Sequence, residues 1–155
     1  MPSIPLSQLL SHMRLFDGLE AEELAVVEKL VFVNRVKAGE TACREGDRSD
    51  FVCFVASGRL DIVKHHAEQG EVVIAQLKPG DSLGEMALVD QQPRSATVRA
   101  VENSALVVLT RKGFEQLRRR RPRAAAVIME NIALVLCTHL RQTSSRLARF
   151  MLPLG

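Results

Sequence analysis

Residues 51–77 read FVCFVASGRLDIVKHHAEQGEVVIAQL, three short runs rich in β-branched residues and broken at Gly58 and Gly70. Runs of this length and composition, bounded by turn residues, are strands. The same character extends outward to VFVNRV from Val31, ATVRAV from Ala96 and ALVVLT from Ala105. Gly39, Gly46, Gly58, Gly70 and Gly80 punctuate the region at intervals of 7, 12, 12 and 10 residues. Intervals near about 8 to 12 residues indicate an antiparallel barrel or sandwich rather than a parallel sheet with crossover helices. All five glycines are expected in tight turns at positive φ.

Helices flank this block. Leu24, Val27 and Leu30, with acids ahead of them, give Leu19 to Leu30 the pattern of one short amphipathic helix. After Thr110 the strands stop, and Lys112 to Arg121 and Arg123 to Phe150 read as two helices parted by Pro122, a residue suited to a first helical turn. The last carries Val127, Ile128, Asn131, Ile132, Val135, Leu136, His139, Leu140 and Leu147 at helical spacing. Such a face is too long for a small barrel to cover, which leaves part of it to pack against another copy of the chain or to project over an opening in the barrel. The expected organisation is one domain over residues 1–155: a helical segment 1–30, strands over 31–110 and helices over 111–155.

Composition sets limits on function. The 155 residues are 46% hydrophobic and 25% charged, ordinary for a globular protein, and a chain of this size buries a sufficient core without staples. Cys43, Cys53 and Cys137 are odd in number and lack metal-ligand spacing, so they are expected to be reduced packing residues, with no metal bound. Unbroken apolar runs are short and the N-terminus has no leader pattern, so the expectation is a cytoplasmic chain with no membrane span. Net charge is +3 overall. Residues 1–110 hold 11 Lys or Arg against 16 Asp or Glu, whereas 111–155 hold 10 against 2. The run Arg118 to Arg121 with Arg123 admits a nucleic-acid contact or a solvated helix end. With no Trp or Tyr and no helix-turn-helix module in these residues, direct DNA reading is not expected. No nucleophile elbow, metal spacing or Walker loop is present, so no catalysis is expected.

The most informative stretch is GDSLGEMALVDQQPRSATVRA, residues 80–100. Gly84 opens a short helical turn whose N–H groups can approach a phosphate oxygen closely. Glu85 offers a carboxylate to a sugar hydroxyl, and the planar fork of Arg94 can grip two phosphate oxygens. Ser95 adds a hydroxyl and a backbone donor. The alternative is that Glu85 and Arg94 serve only each other, as a salt bridge.

Leu83-Gly84-Glu85-Met86-Ala87-Leu88, followed by Pro93-Arg94-Ser95-Ala96-Thr97-Val98, closely resembles the phosphate-binding cassette of cyclic nucleotide-binding domains. This is the family of the catabolite activator protein, the regulatory subunit of cyclic AMP-dependent protein kinase and the cyclic nucleotide-gated channels. The resemblance extends to Phe16-Asp17-Gly18-Leu19, to GETACREGD over 39–47, to Gly58-Arg59-Leu60 and to Gly80-Asp81. It implies an antiparallel β-roll of jelly-roll type and a ligand, cyclic AMP or cyclic GMP. Gly84 and Ala87 would give backbone contacts, Glu85 would bind the ribose 2′-hydroxyl and Arg94 the cyclic phosphate. Met86 belongs to the same cassette, and Ser95 and Ala96 would complete the cradle. Ser95, where relatives preferring cyclic GMP often carry Thr, tilts the expectation to cyclic AMP.

Base contacts are expected from the last helix, at Leu136, His139 or Leu140, with His139 equally suited to helix packing or a dimer seam. The expected partners are the nucleotide, a second copy through the C-terminal helix, and an effector that sequence does not identify. His65 and His66 are adjacent, so on a strand they face opposite ways and form no metal pair; they are expected at the surface or in a loop.

Overall fold

The computed structural model describes residues 5–151, so the outer four residues of the expected 1–155 domain at each end lie outside the described part. Eight strands form two antiparallel sheets. β1 (Val31–Val36), β3 (Phe51–Ser57), β6 (Ser82–Leu83) and β8 (Ser104–Thr110) make one, in the order β1-β8-β3-β6. β2 (Thr41–Cys43), β4 (Leu60–His66), β5 (Gly70–Leu77) and β7 (Thr97–Ala100) make the other, in the order β2-β7-β4-β5. Apart from β4 and β5, which pair as a hairpin within one sheet, consecutive strands alternate between the sheets, which rolls the chain into a jelly-roll.

β3 and β8 show no polar alternation, and their pairing explains why. Cys53, Val55, Leu106 and Val108 face the interior of the roll. Val52, Phe54, Val107 and Leu109 face a second core under the helices. A strand buried on both faces reads as a continuous apolar run. Gly39, Gly46, Gly58, Gly70 and Gly80 all adopt positive φ, as expected. At Gly58 the requirement is also steric, because a Cβ there would lie 2.6 Å from the Ser104 backbone.

The N-terminal segment is richer than expected. Besides α2 (Ala21–Leu30) it contains α1 (Leu6–Ser11) and a 3₁₀ turn over Arg14–Phe16. Leu10, Met13, Leu15 and Phe16 enter the helix-side core, so tertiary burial holds a segment too short to show periodicity. β2 and β6 were also not legible, being three and two residues long inside stretches that read as turns.

α3 (Arg111–Arg120) is capped by Thr110, whose hydroxyl accepts from the Gly113 N–H at 3.0 Å. α4 (Pro122–Met151) begins at the expected proline. Its first half buries Ala124, Ala125, Ile128, Ile132 and Val135, and from Cys137 onward every described residue is exposed. The helix reaches a mean hydropathy of 1.4 over 18 residues, long and apolar enough to cross a membrane by length and composition. Counting unbroken runs misses this, because single polar residues such as Asn131 interrupt the run without lowering the average much. α4 is tied to the N-terminal segment: Asn131 donates to the carbonyls of Leu15 (2.9 Å) and Asp17 (2.8 Å), and Arg123 pairs with Glu23.

Candidate functional site

Gly84 sits at φ 79°, in the left-handed region. From there the chain enters a 3₁₀ turn over Glu85–Leu88, closed by the Ala87 N–H donating to the Gly84 carbonyl at 3.0 Å. The missing side chain matters twice, for the φ and for the space. A Cβ on Gly84 would fall on the Arg94 guanidinium, 2.6 Å from Cζ. The guanidinium of Arg94, ten residues on, therefore lies directly against this turn.

The backbone of Arg94 is fixed by the 46–47 turn: its N–H donates to Asp47 O and its carbonyl accepts from Gly46 N–H, both at 2.8 Å. Its Nε donates to Ser49 Oγ and its Nη2 to the Phe51 carbonyl. The guanidinium carbon stands 4.8 Å from the Phe51 ring centroid, within cation–π range. Arg94 is 9% exposed and Glu85 6%. Glu85 accepts from the Ser82 hydroxyl. Among the described residues the two opposite charges form no ion pair within 4 Å, so the salt-bridge alternative is not realised. A buried cation without a carboxylate is costly unless an anion completes it.

Both residues line a cavity of about 740 Å³, within the range that takes small organic ligands. Its walls are the cassette, residues of β4 and the second half of β5, and α4. Gly84, Glu85, Met86, Ala87, Arg94, Ser95 and Ala96 all lie on it, as does His139. Leu136 and Leu140 do not. Leu136 packs against the helix-side core, and Leu140 is 67% exposed. The reason is helical register. The face that carries Ile128, Ile132 and Val135 into the core continues as His139, Gln142, Thr143 and Arg146 over the cavity. At 100° per residue Leu136 and Leu140 lie about a quarter turn round from it.

Sequence reasoning missed Ser49, Phe51 and Ser82, which hold the two charged groups, and Lys64, Gln142, Thr143 and Arg146 on the cavity wall. Ser82 stands three residues before Glu85, where a turn brings side chains together, and Gln142, Thr143 and Arg146 follow His139 at helical spacing; no local spacing ties Ser49 or Phe51 to Arg94. Cys53 is buried in the roll and desolvation pushes its thiol up to about 12, with Cys43 also raised by burial. His65 and His66 are exposed strand residues, and His66 Nδ1 accepts the Glu68 and Gln69 N–H groups at 3.2 Å. In the basic run, Arg118 pairs with Glu115 at 3.5 Å and Arg123 is taken up by Glu23.

Residues 33–121 match the cyclic nucleotide-binding domain family. The chain belongs to that family. Over 133 residues it is 32% identical to the cyclic AMP receptor protein of Thermus thermophilus, covering 86% of this chain and 60% of that protein. It is 33% identical over 103 residues to the cAMP-dependent protein kinase regulatory subunit of Blastocladiella emersonii, covering 66% of this chain and 26% of the relative. The crystal structure of the Thermus thermophilus catabolite activator protein superposes with a TM-score of 0.78 at 31% identity, over 88% of this chain and 62% of that one. The chain thus spans about three-fifths of the Thermus protein and a quarter of the kinase subunit. As a cyclic nucleotide-binding domain it has the β-roll and flanking helices that its strands announce.

Proposed function

We propose that this chain is a receptor for a cyclic mononucleotide, cyclic AMP in preference to cyclic GMP, and that ligand capture moves α4. Arg94 pairs with the phosphate, Glu85 accepts from the ribose 2′-hydroxyl, the Gly84–Ala87 turn and Ser95–Ala96 frame the sugar phosphate, and His139 faces the base. One observation carries the reading: Arg94 and Glu85 are both buried on one cavity, and neither neutralises the other. An anionic diester joined to a sugar hydroxyl satisfies both. The cyclic AMP named in both relatives supports the ligand class. α4 is the moving part because it forms one wall of the cavity while its outer half has no packing of its own. Ligand shifts its position only through a difference in affinity between the open and closed arrangements. No catalytic step is assigned to these groups.

Thermal denaturation with each nucleotide tests the reading. At about 100 times the Kd, ligand adds about 2.7 kcal/mol to stability, so the melting temperature should rise with cyclic AMP and less with cyclic GMP at equal concentration. An unchanged melt with both at millimolar levels overturns it. A second observation favours self-association through α4. Leu140, Leu147 and Phe150, spaced 7 and 3 residues, are 67%, 59% and 82% exposed. Spacing of this kind suits helix pairing.

A further inference from the structure

Leu60, Ile62 and Lys64 alternate along β4 on the face toward the roll interior: Leu60 belongs to its core, Ile62 packs against that core, and Ile62 and Lys64 both line the large cavity. Val63 and His65, between them, line a separate groove on the outer face. Lys64 is exposed, so along this face the apolar core gives way after Ile62 and the lysine stands at the rim of the cavity beside the cassette. Its ammonium group donates to the Ser95 main-chain carbonyl, at the residue after Arg94. Among the described residues it has no carboxylate within 4 Å. One of its three N–H donors is used and the others are available at the cavity mouth.

Resting on the cyclic nucleotide reading above, we infer that Lys64 is a second cation for the ligand phosphate. Arg94 engages one exocyclic oxygen from the buried side and Lys64 the other from the mouth. The Ser95 carbonyl holds the ammonium in place beforehand, so that the flexible lysine stem is already ordered when the anion arrives. The phosphate end of the site then reads charge from two directions, with the planar fork supplying geometry and the ammonium a compact point charge.

Isothermal titration of cyclic AMP into the full chain and into Lys64→Met and Lys64→Arg, at low and high ionic strength, tests this. Methionine keeps the stem packing and removes the charge. Lys64→Met should bind about tenfold more weakly, with a flatter loss of affinity on adding salt, because one screened charge pair is gone. Lys64→Arg should restore most of the affinity and the salt response. Equal affinity in Lys64→Met, or weaker binding with an unchanged salt response, overturns the inference; the second result would make Lys64 a clamp on Ser95 only. Failure of the unmodified, folded chain to bind cyclic AMP would instead overturn the receptor reading, and this inference with it.

Discussion

A single methyl group on Gly84 would strain a backbone at φ 79° and displace the Arg94 guanidinium. Gly84→Ala should therefore stay folded and lose about 10- to 100-fold in cyclic nucleotide affinity, equivalent to about 1.4 to 2.7 kcal/mol, measurable by calorimetry. Cysteine chemistry gives a separate check on the same interior. Cys137 is exposed, while Cys53 is buried with its thiol pushed up to about 12, and the thiolate is the reactive form. A thiol reagent at neutral pH should label Cys137 first and reach Cys53 only after denaturant is added; prompt native labelling of Cys53 would contradict the packing described. At this scale Gly84, Glu85 and Arg94 were legible because their chemistry lies within 11 consecutive residues. Ser49 and Phe51 were not, because they reach Arg94 across more than 40 residues of chain, through a fold that no local pattern encodes.

α4 shows how an element divides its labour. Its first half is anchored by core burial and by Arg123, which donates to the Glu23 carboxylate and stands 4.0 Å from Glu20. The Glu20 N–H, against the opposing effect of burial and with help from Arg123, holds the Glu23 carboxyl below its ordinary 4.5. A carboxylate with a lowered folded pKa contributes stability that is present above about 4.5 and lost as pH falls through the lower folded value. Glu23→Gln should thus be less stable than the parent at pH 7, with the gap in melting temperature closing as pH drops below about 4.5. A gap that stays constant with pH would show that the ion pair does not hold α4. Truncation after Leu136 should leave the fold's cooperative melt in place, since the removed residues are exposed, while weakening nucleotide binding and abolishing any concentration-dependent dimer in sedimentation. The strands and long helices were legible at this scale because their periodicity or proline punctuation is local. α1, β2 and β6 were not, since two to six residues are too few to display a period.

Across the whole molecule, residues 1–110 carry an acidic excess and residues 111–155 a basic one, and the two parts meet along the cavity. The antiparallel all-β class was legible in the glycine spacing and the β-roll in the resemblance of the cassette, whereas the strand order and the face of α4 that looks onto the cavity needed the packed structure. The central proposal is that buried Arg94, with no carboxylate partner among the described residues, meets the phosphate of an anionic ligand. Its most direct measurement is the dissociation constant of cyclic AMP for the parent chain and for Arg94→Ala, taken by calorimetry in one buffer. Leaving a partly buried phosphate without its partner costs about 2 to 5 kcal/mol, so the substitution should weaken binding by about 30-fold to several thousand-fold. Equal dissociation constants for the two proteins would contradict the account.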